Sequence, residues 1–288
     1  MFGLKRSVDK YMKNLNILDK IIIRIRQFIL NWKTNNSSDG NFRHKILSGD
    51  IFALSNDEIS VSLYVYKNFE NTNREFWDDL IKPGMTVFDI GANWGVYSVA
   101  AKRLLGESGN LVSFEPNKNE YNKLQNNLSL NADGTSHVTL VNSAVGDTDG
   151  VTTFYMPPKY KGAYGSLGRP KIEEDCDAVE VKITKLDTYI HENDISALDV
   201  IKIDVEGAEI KVLTGAVETL EKFSPIILME VSDKRTTVFG YKAKDLCEFL
   251  LNIGYKLYLP RVTDKGDVVL DDYMPEEFIK YVDIVAKK

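Results

Sequence analysis

Apolar and polar positions alternate along most of the chain in a way that predicts strands followed by helices. Short apolar runs, typical of buried strands, are separated by longer stretches in which apolar residues recur every three or four positions. The predicted strands are residues 86–90, 111–114, 138–142, 200–203, 226–230 and 255–259. The predicted helices are residues 96–105, 118–130, 210–220 and 243–253. This alternation predicts an α/β fold that is doubly wound and Rossmann-like, with a mostly parallel sheet.

One region interrupts the alternation. Residues 151–156 and 179–183 both have strand-like patterns, and the segment 157–177 between them is rich in Gly, Pro and Tyr. We therefore predict a hairpin-like insertion over about residues 150–184. Long loops inside compact domains are often functional, so this insertion is a candidate part of a binding site.

A basic segment precedes the alternating core. Residues 1–35 contain eight Lys or Arg and two Asp, a local net charge of +6, and because the whole chain carries −6, the remainder carries −12. Apolar residues recur there at helical spacing, namely Ile17, Ile21, Ile25, Phe28, Ile29 and Trp32. We predict an N-terminal helix and linker over residues 1–40. Its stretch 8–34 is expected to contact an anionic membrane surface, its own domain or a second copy in a homodimer.

Composition limits the other partners. The acidic balance, with a pI of about 5.3, gives no general attraction to nucleic acid. Cys176 and Cys247 are far apart and form neither a disulfide framework nor a zinc motif. Arg24 and Arg26 interrupt the apolar run 21–30, which argues against a secretion signal, and no run is long enough for a membrane span. We expect a cytoplasmic protein, peripheral to a membrane if the first helix binds one.

The first core strand runs through a glycine-containing turn into a helix. Glycine lets the backbone approach a ligand, and a helix start offers free N–H groups to an anion. The spacing G-x-x-x-G differs from the G-x-G-x-x-G of dinucleotide enzymes, and the Asp89 carboxylate can accept an ammonium group. This favours a nucleoside cofactor that carries an amino acid, although a tight turn without a ligand is the simpler alternative. The candidate cofactor-binding residues here are Asp89, Gly91, Ala92, Asn93, Gly95, Tyr97 and Ser98.

Two later strand ends supply further candidates for the same cofactor. Glu115 follows the second strand, where a carboxylate can accept hydrogen bonds from both ribose hydroxyls. Asn142, Ser143 and Ala144 follow the third strand, where an adenine ring is expected. An ordinary exit from a strand into a turn accounts for these three equally well.

The fourth and fifth strands end in acidic residues. Asp204 follows the fourth strand and Glu230 ends the fifth, so both reach the edge where ligands bind in open α/β sheets. A carboxylate there can orient a nucleophile and remove its proton, so Asp204, Glu230 and Glu209 are the catalytic candidates, and Asp204 also borders the cofactor. Glu206 and Glu209 can instead cap the following helix. Asp204 and Glu230 can together hold a divalent metal, and a metal-free site with one carboxylate base is the alternative.

Together these segments resemble the FkbM-type methyltransferase family. The matching stretches are residues 87–95, 114–116 and 201–209, and the last is the most specific because general Rossmann proteins rarely carry it. The resemblance covers roughly residues 48–260. It implies a class I methyltransferase fold with a core of about residues 84–260 in a domain of residues 41–288, and S-adenosyl-L-methionine as cofactor. It also implies methylation of a hydroxyl on a sugar, glycan or natural product.

The resemblance extends to the acceptor side. The family's inserted loop is similar to residues 162–167, which implies that Tyr164 and Ser166 lie near the acceptor, and residues 69–71 imply that Glu70 borders the site. The basic N-terminal helix is not part of the shared pattern. Three alternatives remain, namely a non-catalytic cofactor-binding scaffold, an N-methyltransferase and a nicotinamide oxidoreductase, and the missing G-x-G-x-x-G spacing disfavours the last.

Overall fold

The protein, seen here in a computed structural model, is built on a mixed β-sheet with an apolar cluster on each face. The structure describes residues 17–38, 41–46, 48–55, 57–66, 70–131, 137–156, 165–169, 176–263 and 265–288. The described strands are β1 (Phe42–Lys45), β2 (Ile51–Leu54), β3 (Thr86–Ile90), β4 (Asn110–Phe114), β5 (His137–Val141), β6 (Ala144–Val145), β7 (Gly150–Met156), β8 (Asp177–Thr184), β9 (Val200–Ile203), β10 (Ile226–Val231), β11 (Lys256–Val262), β12 (Val268–Asp272) and β13 (Val282–Lys287).

Helices alternate with these strands through the core. The described helices are α1 (Ile17–Asn35), α2 (Glu58–Ser60), α3 (Asn71–Leu80), α4 (Val96–Leu105), α5 (Lys118–Leu130), α6 (Leu186–Glu192), α7 (Glu209–Thr214), α8 (Val217–Phe223), α9 (Asp233–Thr236) and α10 (Ala243–Asn252). A π-helix, Val61–Tyr66, continues α2, and a 3₁₀ turn, Thr237–Phe239, follows α9.

The strand order places a ligand crevice near the middle of the central sheet. The order is β12-β11-β13-β10-β9-β3-β4-β5, in which β10, β9, β3, β4 and β5 are parallel and β13 is antiparallel to both of its neighbours. The chain proceeds from β3 toward β5 on one side and from β9 toward β10 on the other. The order therefore reverses between β3 and β9, and such a switch point leaves a crevice at the carboxyl ends of the strands. The predicted doubly wound, mostly parallel fold is confirmed.

The central strands are apolar because both of their faces are covered. All five residues of β3 are buried. Val87 packs in one apolar cluster, with helix α4, whereas Phe88 and Ile90 pack in the other, with α7, α8 and α10. Successive side chains of a strand point to opposite faces, so an uninterrupted apolar run is what a sheet covered on both faces requires.

The insertion forms a small sheet of its own. β7 and β8 pair antiparallel, as the pattern predicted, and β6 pairs parallel with β8. An isolated bridge joins Tyr155 to Ser166, so the described part of the long loop returns to β7. Tyr164 lies outside the described residues.

The predicted helix 210–220 is two helices, α7 and α8. They meet at Gly215, where a Cβ atom would overlap the backbone carbonyl of Gly146. A continuous helix with a side chain at this position would push the β6–β7 turn away. The close contact between the backbones of Gly215 and Gly146 therefore accompanies a break in the helix, although the apolar residues keep a helical period across it.

The pattern did not predict the hairpin β1–β2, the helix α6 or the strands β12 and β13. The last strand, β13, enters the sheet between β10 and β11 and is antiparallel to both. Part of this pairing joins residues far apart in sequence, so a local pattern of apolar residues cannot predict it. The core strands that were predicted are all observed, with their ends shifted by at most three residues.

Helix α1 packs on its own domain, through a face that does not include the apolar positions noted in the sequence. Ile23, Leu30 and Thr34 are buried, and Arg26 Nη1 donates to the Val65 carbonyl of the π-helix at 3.1 Å. None of the predicted apolar positions is buried, and five of them are exposed, namely Ile17, Ile21, Ile25, Phe28 and Trp32. In the part of the chain that the structure describes, no helix has both the length and the apolarity to span a membrane.

Candidate active site

A cavity of about 330 Å³ opens at the carboxyl ends of the central strands, at the switch point of the sheet. Its volume falls within the range of small-molecule sites. The turn between β3 and α4 and the side chain of Glu115 line one end. Charged side chains that follow β9 and β10 line the other end, including Lys202, Asp204 and Glu230. Both groups of predicted residues therefore meet in one cavity.

Gly91 allows the β3–α4 turn to lie against the neighbouring strand. Its φ is +81°, and a Cβ atom there would overlap the carbonyl oxygen of Asp204. The backbone N–H groups of Gly91 and Ala92 both donate to the Phe114 carbonyl, at 3.0 and 2.9 Å. The turn is thus fixed between the ends of β9 and β4, and Gly91, Ala92, Asn93 and Tyr97 line the cavity beside it.

Glu115 ties the same turn to the end of β4. Its Oε2 accepts from the backbone N–H of Asn93, and its Oε1 accepts from the backbone N–H of Asn117, both at 2.8 Å. Each carboxylate oxygen keeps a second acceptor site for a ligand hydroxyl. Burial raises the pKa of Glu115 to about 8, against these two hydrogen bonds, which lower it. Glu115 is therefore a preformed acceptor whose charge depends on what occupies the cavity.

Asp89 and Ser98 lie beneath the turn and do not line the cavity. Ser98 Oγ donates to Asp89 Oδ2 at 2.5 Å and lies 2.8 Å from Ser113 Oγ. Burial raises the pKa of Asp89. In this geometry both residues support the turn from below, and the predicted contact of Asp89 with a cofactor ammonium stays a prediction.

Of four other cofactor candidates, two line the cavity and two lie outside its lining. Ser143 and Ala144 line the cavity. The Asn142 amide instead donates to the carbonyls of Glu115 and Pro116, at 2.8 and 3.0 Å, and joins the ends of β4 and β5. Gly95 is also outside the lining. It begins α4 with φ +82°, and a side chain there would overlap Leu124 of α5.

A buried lysine and a carboxylate form the polar centre of the other end. Lys202 Nζ lies 2.9 Å from Asp204 Oδ2 and 4.5 Å from the centre of the Tyr97 ring. Burial alone would raise the pKa of Asp204, but the Lys202 ammonium outweighs it and holds the pKa below its usual value. Burial likewise opposes the charge on Lys202, yet Asp204, Asp89 and Glu70 together raise its pKa well above the usual value. The pair is charged at neutral pH.

Tyr97 links this pair to the rim. Its hydroxyl donates to Glu70 Oε2 at 2.6 Å. Burial and the nearby Glu70 carboxylate raise the pKa of Tyr97 well above 10.0, so the phenol stays protonated. Glu70 itself is exposed and adopts a left-handed conformation, φ +48°, immediately before α3. As the family resemblance implied, Glu70 borders the cavity.

Glu230 also lines the cavity, with a guanidinium beside it. Arg235 Nε lies 2.5 Å from Glu230 Oε1, and Arg235 also contacts the Glu206 carboxylate. Burial and then the charge of Asp204 raise the pKa of Glu230 to about 9, whereas the guanidinium contact favours the ionised form. The two predicted metal ligands, Asp204 and Glu230, thus each have a cationic partner. The described residues contain no group of three or more metal-ligating side chains.

Glu209, predicted as catalytic, lies outside the cavity lining. Its Oε1 accepts from the Gly207 N–H at 3.0 Å, and the hydroxyl of Tyr241 donates to the Gly207 carbonyl at 2.5 Å. Burial raises the pKa of Glu209 to about 7. These contacts fix the turn after β9. The helix that follows has no side-chain cap hydrogen bond, so the Glu209 carboxylate holds the turn before the helix and does not cap it.

Ser166 similarly anchors the insertion instead of facing the cavity. Its Oγ donates to the Glu206 carbonyl at 2.9 Å, and its neighbours Gly165 and Leu167 line the cavity. Tyr164, the other acceptor-side candidate on this loop, is not among the described residues.

Several polar residues that line the cavity were not among the predicted site residues, namely Ser62, Lys202, Glu206, Arg235 and Tyr281. A lysine within the otherwise apolar strand 200–203 was a usable signal, because a buried charge requires a partner. Arg235 and Tyr281 reach the site from α9 and from the segment before β13, so only the tertiary structure brings them there.

Comparison with known proteins identifies a matching family model and several distant relatives. A family model described as the methyltransferase FkbM domain matches residues 89–257. The chain is 27% identical to the 2-O-methyltransferase NoeI of Sinorhizobium fredii, over 69% of this chain and 84% of that protein. It is 25% identical to the hexuronic acid methyltransferase AglP of Haloferax volcanii, over 49% and 54%. It is also 27% identical to the methyltransferase sdnD of Sordaria araneosa, over 46% and 60%.

The chain thus spans less than two thirds of the AglP and sdnD proteins. Among solved structures, one similar chain is an FkbM methyltransferase from Methylobacillus flagellatus, with 17% identity and a TM-score of 0.45. That alignment covers 74% of this chain and 50% of the other.

Proposed function

This chain belongs to the FkbM methyltransferase family, and from that premise we propose that it methylates a hydroxyl oxygen of a sugar or a similar hydroxylated small molecule, with S-adenosylmethionine as donor. One observation carries the proposal. A single cavity holds the Gly91 turn and Glu115 at one end and the Lys202–Asp204 pair at the other. The printed names of NoeI and AglP, a 2-O-methyltransferase and a hexuronic acid methyltransferase, support an oxygen on a sugar as the acceptor.

The residues present fit the proposed cofactor. Gly91 holds the turn close against the end of β9, and α4 begins at Val96, which lines the cavity, so the partial positive charge of the helix start would favour a carboxylate there. Glu115 would accept the ribose hydroxyls, and Ser143 and Ala144 would border the base. When bound, S-adenosylmethionine supplies a methyl group on a positively charged sulfur, which an acceptor oxygen can attack.

Asp204 is the residue we assign to the acceptor hydroxyl. Its carboxylate, held ionised by Lys202, would accept the hydroxyl's hydrogen bond and so direct an oxygen lone pair into the cavity. A carboxylate with a lowered pKa is a weak base. It would suffice here because a hydroxyl oxygen that forms a third bond becomes far more acidic, and the proton would then pass to Asp204.

Lys202 and Tyr97 position this carboxylate. Lys202 lies between Asp204 and the Tyr97 ring, and Tyr97 in turn is held by Glu70. Arg235 contacts Glu230 in the same cavity. Lys202 is thus the direct cationic partner of Asp204, and Arg235 that of Glu230.

A transfer assay tests the proposal directly. The full chain is incubated with S-adenosylmethionine and a panel of neutral sugars, hexuronic acids and matched amino sugars, and the products are analysed by mass spectrometry with fragmentation. We expect one added methyl group on an oxygen. Methyl transfer to the amino nitrogen only, or failure of the folded protein to bind the cofactor at millimolar concentration, would contradict the proposal.

A further inference from the structure

Helix α1 turns an apolar face away from the protein. Ile23 and Leu30, 6% and 0% exposed, mark the side that packs on the domain. Six large apolar residues are between 48% and 77% exposed, and we call them the outer face: Ile17, Leu18, Ile21, Ile25, Phe28 and Trp32. At about 100° per residue, the centre of the outer face is about 180° around the helix from Ile23 and Leu30.

This arrangement is the reverse of an ordinary surface helix, which packs its apolar stripe on the core and turns polar residues to water. Here the polar positions Arg26 and Thr34 lie on the packed side, where Arg26 donates to the Val65 carbonyl. A contiguous exposed apolar patch of this kind marks an interaction surface.

Cationic side chains border the outer face on both edges. By helix geometry, Lys20 and Arg24 follow one edge and Lys33 the other. Residues 1–35 carry a net charge of +6 and the rest of the chain −12. An apolar face between two cationic edges is what an interfacial helix presents to anionic lipids, because the long stems of Lys and Arg reach the headgroups while the apolar side chains enter the acyl boundary.

We propose that the outer face of α1 inserts into the surface of an anionic membrane. A second copy of the chain fits this face less well. In a twofold pairing through the same patch, the cationic edges of one helix would meet the cationic edges of the other, and like charges across an interface are unfavourable. The acidic remainder of the chain is repelled by anionic lipids, so the molecule approaches the membrane with α1 first.

Vesicle sedimentation with the full chain measures this binding. We expect binding to vesicles of phosphatidylcholine with phosphatidylserine and far weaker binding to phosphatidylcholine alone. The double variant Phe28→Ser/Trp32→Ser should lower the partition coefficient about tenfold or more. The control Met274→Ser/Phe278→Ser removes two apolar side chains of similar exposure elsewhere on the surface and should change nothing.

A charge-matched pair tests the cationic edge. Lys20→Gln/Arg24→Gln should weaken binding about fivefold for each removed cation, since a basic residue near an anionic surface contributes about that factor. Lys265→Gln/Lys280→Gln removes the same net charge from exposed positions outside α1 and should leave binding unchanged. Equal loss in both variants would mean that net charge, not this face, drives binding, and would overturn the proposal.

Trp32 reports insertion directly, because Trp77 and Trp94 are buried whereas Trp32 is 58% exposed. We expect its emission to shift to shorter wavelength on anionic vesicles and to be quenched by brominated acyl chains, and Trp32→Phe should abolish the quenching. An unquenched Trp32 at saturating lipid overturns the proposal. So does a dimer in sedimentation velocity that Phe28→Ser/Trp32→Ser dissociates, since a second copy would then cover the face.

Discussion

The carboxylate of Glu115 accepts the backbone N–H of Asn93 at 2.8 Å, which joins the first turn of the core to the end of the neighbouring strand. Asn93 is in the left-handed region, φ +49°, so its N–H is directed by a conformation that few side chains adopt readily. Glu115 therefore both holds the turn in place and lines the cavity beside it. Ligand affinity and loop geometry are coupled at this contact.

Glu115→Ala should weaken S-adenosylmethionine binding by about 1.5–3 kcal/mol, since charge-assisted hydrogen bonds to the ribose are lost and two backbone N–H groups lose their acceptor. Titration calorimetry measures the difference. Glu107→Ala, at an exposed position on the turn after α4, is the matched control and should leave affinity unchanged. Equal affinity of the Glu115→Ala variant and the parent would show that the carboxylate does not contact the cofactor.

The pKa of Glu115, about 8 against an ordinary 4.5, makes cofactor binding pH-dependent. Between these values the empty site holds a proton, and ribose hydroxyls that donate to the carboxylate displace it. Binding then releases a proton, so affinity rises with pH and levels off above about pH 8. Calorimetry in buffers of different ionisation enthalpy counts the proton. Glu115→Gln should remove the release, and persistence of the release in that variant would place the titrating group elsewhere.

Asp204→Asn should abolish turnover and leave cofactor affinity within a few-fold, because the amide keeps the shape of the carboxylate and cannot take up the hydroxyl proton. Single-turnover assays and calorimetry separate the two effects. Asp272→Asn, at an exposed position on β12, should leave both unchanged. Substantial activity in Asp204→Asn would assign the base to another group.

Lys202→Met should lower the free energy of unfolding by about 1–3 kcal/mol, since the Asp204 carboxylate, 29% exposed, loses the buried cation that neutralises it. Lys211→Met breaks a pair of the same length, 2.9 Å to Asp147, whose lysine is 36% exposed, and should cost about 1 kcal/mol or less. Urea denaturation compares the two variants.

The activity of Lys202→Met carries a second signature. Without the ammonium the pKa of Asp204 rises, so the acidic limb of the pH–rate profile should move to higher pH. An unmoved limb would show that Lys202 does not set the charge of Asp204.

Gly91→Ala and Gly240→Ala form a matched pair, because both glycines have φ +81°. Space around Gly240 is open, so its substitution should cost only the backbone strain, about 1–2 kcal/mol. At Gly91 the added methyl would overlap the Asp204 carbonyl, so the turn must move, and we expect a larger loss of stability together with loss of cofactor binding. Thermal denaturation with and without cofactor measures both. Similar behaviour of the two variants would mean that the turn adapts freely.

The prediction from sequence succeeded where one strand and its neighbouring turn contain the information. Gly91 and Glu115 were identified because a strand, a glycine turn and a following acid are local signals, and both line the cavity. Asp89 and Glu209 had signals of equal strength, yet both lie beneath the loops that they were expected to present. Sequence spacing places a residue near a strand end but not on the ligand side of that end.

Helix α1 shows the same division. The periodicity of its apolar residues correctly predicted an amphipathic helix. The apolar stripe, however, faces away from the domain, and Ile23 and Leu30 are the apolar residues that pack against it. Which face is buried depends on the surface available to receive it, here the π-helix Val61–Tyr66, and that surface is formed by a distant part of the chain.

The α/β alternation, the family and the residues that follow each core strand could be predicted from the sequence, because strand and helix periods and short motifs are properties of neighbouring residues. The pairing of Lys202 with Asp204, the contact of Arg235 with Glu230 and the insertion of β13 into the sheet could not. The physical reason is that burial, charge pairing and strand pairing are properties of groups close in space, and the chain brings them together from positions far apart in sequence.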